Sequence, residues 1–197
     1  MRSLRSRTCF VRSFVMRLFL LEARALSLPA MRTPSLPNLS LIPAVVGALL
    51  QAGAQLFAVA VVVGTVTAAP PRSLAMYGGE YGYDSGPFWQ VMPTVTLGLL
   101  LIALVGNWRT PRRRLILVAA ALFVAAGLFS TLVMSPVQAA VVGAGYSDAV
   151  DAALRTQAAR WQLLDWVSWA LTLSVGVVLV AALAVRVPEA TSTATAA

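Results

Sequence analysis

The sequence predicts an all-α integral membrane bundle of four transmembrane helices with both termini cytoplasmic. Three observations carry this. The chain is 59% apolar, with a mean hydropathy of +0.81 and only 11% charged residues, where soluble domains run at about 25%. The apolar residues gather in four runs, each near the ~20 residues a helix needs to cross the hydrocarbon of a bilayer. The arginines lie between the runs, most densely at residues 108–114, which read WRTPRRR.

Residues 1–40 form a basic arm with seven arginines in its first 32 residues. Phe14, Leu18 and Phe19 alternate there with Arg12, Arg17 and Arg24. This pattern suits a partly disordered segment lying on anionic lipid, and the interruptions at Arg17 and Glu22 make a poor signal peptide. Alternatively the arm is a misassigned gene start, because Met31 opens a shorter chain that leads straight into the first span. Pro34 and Pro37 predict irregular structure up to Ser40. The membrane domain is expected over residues 41–186, with spans at 42–66, 88–106, 115–134 and 163–185. Pro43 falls in the first turn of span one, where a missing N–H is tolerated. Residues 67–87 are a loop, broken by Pro70-Pro71 and Gly78-Gly79 and rich in tyrosine. Phe88 and Trp89 sit where an aromatic belt meets the interface, with Trp108 at the other end of the span. Pro136 marks the exit of span three, Asp148 is placed to cap the next helix, and Asp151 and Arg155 are spaced to pair along it. Residues 187–197 are small and polar, as expected of a disordered tail.

Composition excludes much chemistry. All 15 basic residues are arginine, giving a net charge of +8, but their position beside apolar spans fits positive-inside topology and not a nucleic-acid face. The absence of histidine removes histidine triads and the usual zinc and haem ligand sets. One cysteine, Cys9, precludes an internal disulfide. No glycine-rich phosphate motif is present, and no metal or cofactor is expected.

The remaining polar residues within spans are therefore conspicuous. Gln51 and Gln55 are four apart and share one face near mid-membrane depth, where an amide facing lipid is costly. At the start of span four, Trp161, Asp165, Ser168, Thr172 and Gly176 follow steps of four, three, four and four, so they form one stripe. Asp165 is the best candidate for a catalytic carboxylate, with Arg160, Gln51 and the tyrosine loop as potential partners. Candidate ligand-binding residues are Gln51, Gln55, Tyr81, Tyr83, Trp89, Trp161, Ser168 and Thr172. The plainer reading of the glutamines is interhelical packing, and that of the tyrosines is the headgroup belt.

Across residues 44–186 the chain resembles the DUF1772 family of small membrane proteins, which includes anthrone-oxygenase-like members. The similar features are Gly53 and Phe57 in span one, the Pro70-Pro71 exit, Phe88-Trp89 before Pro93, the end of span three near Pro136, and Arg160-Trp161 shortly before Trp166. The resemblance implies a four-span bundle and, for some members, cofactor-independent oxidation of a reduced aromatic polyketide. Family members often carry a histidine and an arginine after the span-four tryptophan; here the residues after Trp161 are Gln162, Leu163, Leu164 and Asp165.

The leading expectation is a multi-pass protein of the cell membrane, partnered by the lipid bilayer, that binds an apolar or aromatic small molecule or a partner protein, with a homo-oligomer as one form of partnership. The alternatives are an anthrone-type oxygenase and a small transporter subunit. Orientation is directly testable by single-cysteine labelling on a Cys9→Ser background. A Tyr83→Cys probe should react with an impermeant maleimide in intact cells, because the arginine-rich turn is held inside. Reaction only after permeabilisation would overturn the topology.

Overall fold

The computed structural model describes residues 36–149 and 151–187. The expected arm, apart from its last residues, and the end of the tail lie outside the described residues. Among the described residues four helices are long and apolar enough to cross a membrane: α1 (Leu36–Val66), α2 (Gly86–Gly106), α3 (Arg113–Val142) and α4 (Ala152–Ala184). At about 1.5 Å per residue each reaches or exceeds the ~30 Å hydrocarbon thickness.

Two boundaries differ from expectation, both at prolines. Residues 36–40 are helical, so Pro37 occupies the first turn of α1 and Pro43 lies inside the helix. Span three does not end at Met134 but runs on to Val142. Pro136 has no N–H to offer the carbonyl four residues back, and a π-helical turn at Ser130–Met134 stands immediately before it. There the Ser135 N–H donates to the Ser130 carbonyl, five residues away, and the widened turn lets the helix pass the proline. A second π turn, Ala58–Val63, interrupts α1. At the start of α4 the cap is Asp151, not Asp148: its side chain accepts from the N–H groups of Ala153 at 2.8 Å and Leu154 at 3.0 Å, which leaves it capping the helix instead of pairing with Arg155. Asp148 accepts instead from the Tyr146 hydroxyl, at 2.7 Å.

α1 packs along α2 and α4, and α4 packs along α3, whereas α2 and α3 meet sparingly although one short turn joins them. Around the bundle the order is therefore α2, α1, α4, α3, with a loose seam between the last and the first. Two packed cores stand at opposite ends. Near the arginine turn, Leu41, Ala44, Leu100, Ala103, Ile116, Val175 and Leu179 are fully buried together. Glycines leave room for neighbouring side chains there: a Cβ added to Gly106 would collide with Ser40 Oγ, and one added to Gly176 would stand 2.7 Å from Leu49 Cδ2. At the other end Val66, Leu74, Val141, Ala158 and Trp161 pack under the tyrosine loop. Many large apolar side chains elsewhere face outward, among them Leu101, Ile102, Val105, Leu128 and Leu132, the surface that lipid covers.

The arginine end is closed by polar clasps. Arg112 is buried; its Nε donates to the Val185 carbonyl at 2.8 Å, its Nη2 to the Leu183 carbonyl at 3.1 Å, and its Nη1 to the Asn38 side chain. It thus caps α4, where carbonyls lack intrahelical partners and the helix dipole favours a cation, and ties that end to the start of α1. Beside it the fully buried Asn107 donates from Nδ2 to Ala103 O at 2.9 Å, and to Pro37 O and Ser40 Oγ at 3.1 Å each. Arg113 instead lies over the Trp108 ring, 5.1 Å from its centroid.

Arg112→Leu should lower the thermal midpoint in detergent sharply, on the scale of about 2–3 kcal/mol for lost charged hydrogen bonds. Arg112→Lys should recover only part of this, because an ammonium cannot span three acceptors in one plane. Equal stability of the leucine variant and the wild type would show that the clasp contributes nothing.

Candidate functional site

Between the two cores lies a cavity of about 740 Å³ to which all four helices and the tyrosine loop contribute. Its polar wall is built where α1 faces α4. The stripe predicted on α4 is buried along its length, at Trp161, Asp165, Ser168, Thr172 and Gly176. Opposite it stand Gln51 and Gln55, both buried. Gln55 Nε2 donates to Ser168 Oγ at 2.8 Å, and the Thr172 hydroxyl donates to the Ser168 carbonyl at 3.0 Å. The Gln55 amide is also the polar neighbour of the Asp165 carboxylate. Gln51 differs: its Oε1 is buried and has no hydrogen-bond partner.

The facing wall is more apolar, with two aromatic rings and a few polar side chains toward the tyrosine end. Trp89 and Pro93 supply it from α2, and Phe123, Ala126, Gly127, Ser130, Thr131, Met134 and Gln138 from α3. Both π turns border the cavity, through Ala58, Val62 and Val63 on one side and Ser130, Thr131 and Met134 on the other. A π turn rotates every later side chain relative to a regular helix, so these two departures set which residues face inward beyond them.

The loop covers the cavity from the tyrosine end. After the cis Pro70-Pro71 bond, the 3₁₀ segment Arg72–Tyr77 presses Leu74 into the core. The chain then turns at Gly79, where φ is +80°, and the Tyr83 N–H returns to the Met76 carbonyl at 2.8 Å. The rings of Tyr77 and Tyr83 lie 6.1 Å apart, both on the cavity. Burial pushes the Tyr77 phenol above its ordinary range, with Tyr83 and Asp165 acting in the same direction, so it stays a neutral donor at physiological pH. No Cβ is possible at Gly82 without movement of backbone, because it would lie 2.5 Å from the Tyr77 carbonyl oxygen.

Of the residues singled out from sequence, Asp165, Gln51, Gln55, Tyr83, Trp89, Trp161, Ser168 and Thr172 all line this cavity. Tyr81 does not. It sits at the tip of the turn and is 92% exposed, since the bond from Tyr83 back to Met76 throws the intervening residues outward. Arg160 is exposed and is no partner for Asp165. Tyr77 belongs to the tyrosine loop that sequence reading offered as a partner for Asp165, although not to the candidate ligand-binding residues; the α3 wall was passed over. The signal existed in part: Phe123, Gly127, Thr131 and Met134 follow steps of four, four and three. Gln138 lies in the one further turn that the sequence permits past Pro136, beyond the expected end of the span at Met134.

Comparison with protein-family models, with curated proteins and with solved structures yields no match for this chain. It is a four-helix, mostly apolar bundle of membrane-spanning proportions, and what it does is argued from the cavity alone.

Two variants test the polar wall. Asp165→Asn should keep the fold better than Asp165→Leu, because an amide keeps a polar group beside Gln55 where leucine strands it, at about 1–3 kcal/mol per buried group. Thermal unfolding in one detergent measures the order. A leucine variant at least as stable as wild type would remove Asp165 from the network.

Proposed function

We propose that this protein is a multi-pass membrane protein that binds a lipid-soluble small molecule in the cavity, with the arginine turn cytoplasmic and the tyrosine loop outside. One observation carries the reading: a cavity of about 740 Å³ with a polar stripe along one wall and a mainly apolar wall opposite. Ligand sites for drug-sized molecules occupy about 300–1,000 Å³ and combine apolar walls with a few placed polar groups. The sparse packing of α2 against α3 supports a route from the bilayer, since their shared seam runs along the cavity.

A second reading is the anthrone-type oxygenase implied by the DUF1772 resemblance. It is favoured by the buried carboxylate of Asp165, which lines the same cavity as Tyr77 and Tyr83. In that reading Asp165 accepts the proton from the activated carbon of an anthrone, the substrate carbanion is oxidised by dioxygen, and an anthraquinone and water leave. The tyrosine hydroxyls orient the substrate oxygens. Transport is less well supported, because the fully packed core and the Asn107 and Arg112 clasps close the arginine end.

Gly127 offers the test. A Cβ added there meets nothing within 4 Å, and replacing a helical glycine gains up to about 1 kcal/mol of helix propensity. Gly127→Phe should therefore fold at least as well as wild type while filling the cavity beside the seam. Binding of 2-methoxynaphthalene to the protein in nanodiscs should weaken at least about tenfold, a difference of about 1.4 kcal/mol. Undiminished binding to a folded Gly127→Phe protein would refute the cavity as the site. Dioxygen uptake with anthrone that vanishes in Asp165→Asn would favour the oxygenase; uptake equal to that of empty nanodiscs would exclude it.

A further inference from the structure

We infer that the ligand carries a hydroxyl or N–H group and donates it to Gln51, so that the site selects hydrogen-bond donors over equally apolar acceptors. This rests on the binding reading above and goes beyond it in naming the ligand's chemistry.

The argument is an account of donors and acceptors along the polar wall. Two of its donors are committed internally. The Thr172 hydroxyl is given to the Ser168 carbonyl, and Gln55 Nε2 to Ser168 Oγ, with the Asp165 carboxylate beside the same amide. At Gln51 a buried acceptor is left over. Gln51 Oε1 is buried without any partner, in a residue only 7% exposed that lines the cavity. Buried acceptors are nearly always paired, and an orphan on a cavity wall calls for a partner. An apolar ligand would leave the oxygen as it is, and a ketone or ether would set one acceptor against another. A hydroxyl satisfies it. The terminal torsion of a glutamine is broad, so the amide turns Oε1 toward the cavity at small cost. Gln51 stands one turn from Gln55, deeper toward the packed arginine-end core, which places the ligand's hydroxyl at the closed end and its apolar body along Trp89 and Phe123.

The test uses the full chain in nanodiscs and two probes with one ring system, 2-naphthol and 2-methoxynaphthalene, titrated calorimetrically with empty nanodiscs subtracted. Wild type should bind the naphthol about fivefold to tenfold more tightly than its methyl ether, the range of one neutral hydrogen bond. Gln51→Leu should bring the ratio of the two affinities close to one. Where the leucine variant does not fold, Gln51→Met, unbranched and of similar length, serves for the same ratio. Equal binding of both probes to wild type, or a preference that survives loss of the amide, overturns the inference and leaves the binding reading standing. If neither probe binds wild type, the binding reading itself falls, and this inference with it.

Discussion

Arg112 holds three parts of the chain at one point: the turn between α2 and α3, the last carbonyls of α4, and the first turn of α1. A guanidinium suits this position because its donors lie in one plane and point in fixed directions, so a single side chain can cap a helix and reach a second helix together. The carbonyls it takes are those a helix end leaves without partners. Asn107 performs a neutral version of the same task on the other side of the turn. With α1, α2 and α4 tied there by directional bonds, the small residues at this end can pack to full closure.

The cavity is the counterpart of that closure. Helices α2 and α3 are joined at the arginine end and touch little along their length, so the space between them widens away from the turn. Large side chains do not fill it. Gly127 and Ala126 face it from α3, and Pro93 from α2. At the far end the tyrosine loop and the Leu74 plug restore a packed layer. The bundle thus has a packed cluster at each end and a cavity between, which is a different design from an evenly packed four-helix bundle.

Polar groups in a membrane interior are retained only where they find partners. The pairing of Gln55 with Ser168 and of Thr172 with the Ser168 carbonyl meets that requirement. The Gln55 bond also joins α1 to α4 across the back of the cavity, while α2 and α3 on the opposite side meet sparingly.

Much of this architecture was legible in the residues themselves. Four apolar runs and the placement of arginine determine four helices, because lipid admits only internally bonded backbone and excludes exposed charge. The periodicity of Trp161, Asp165, Ser168 and Thr172 likewise put them on one face, and Gln51 with Gln55 on another, since helical spacing is a local property. Tertiary structure alone decided that these two faces meet. It also decided that Tyr83 covers them while Tyr81 points away, and that Pro136 lies within a helix and not at its end. Each of those outcomes depends on partners distant in sequence or on a change of helical register. The π turns shift which residues face inward, and the loop's return from Met76 to Tyr83 rests on a backbone bond. Arg112 makes the same point. Its sequence neighbours Arg113 and Arg114 are exposed, and only the arrival of Leu183 and Val185 beside it turns one arginine of a charged turn into the buried clasp of the bundle.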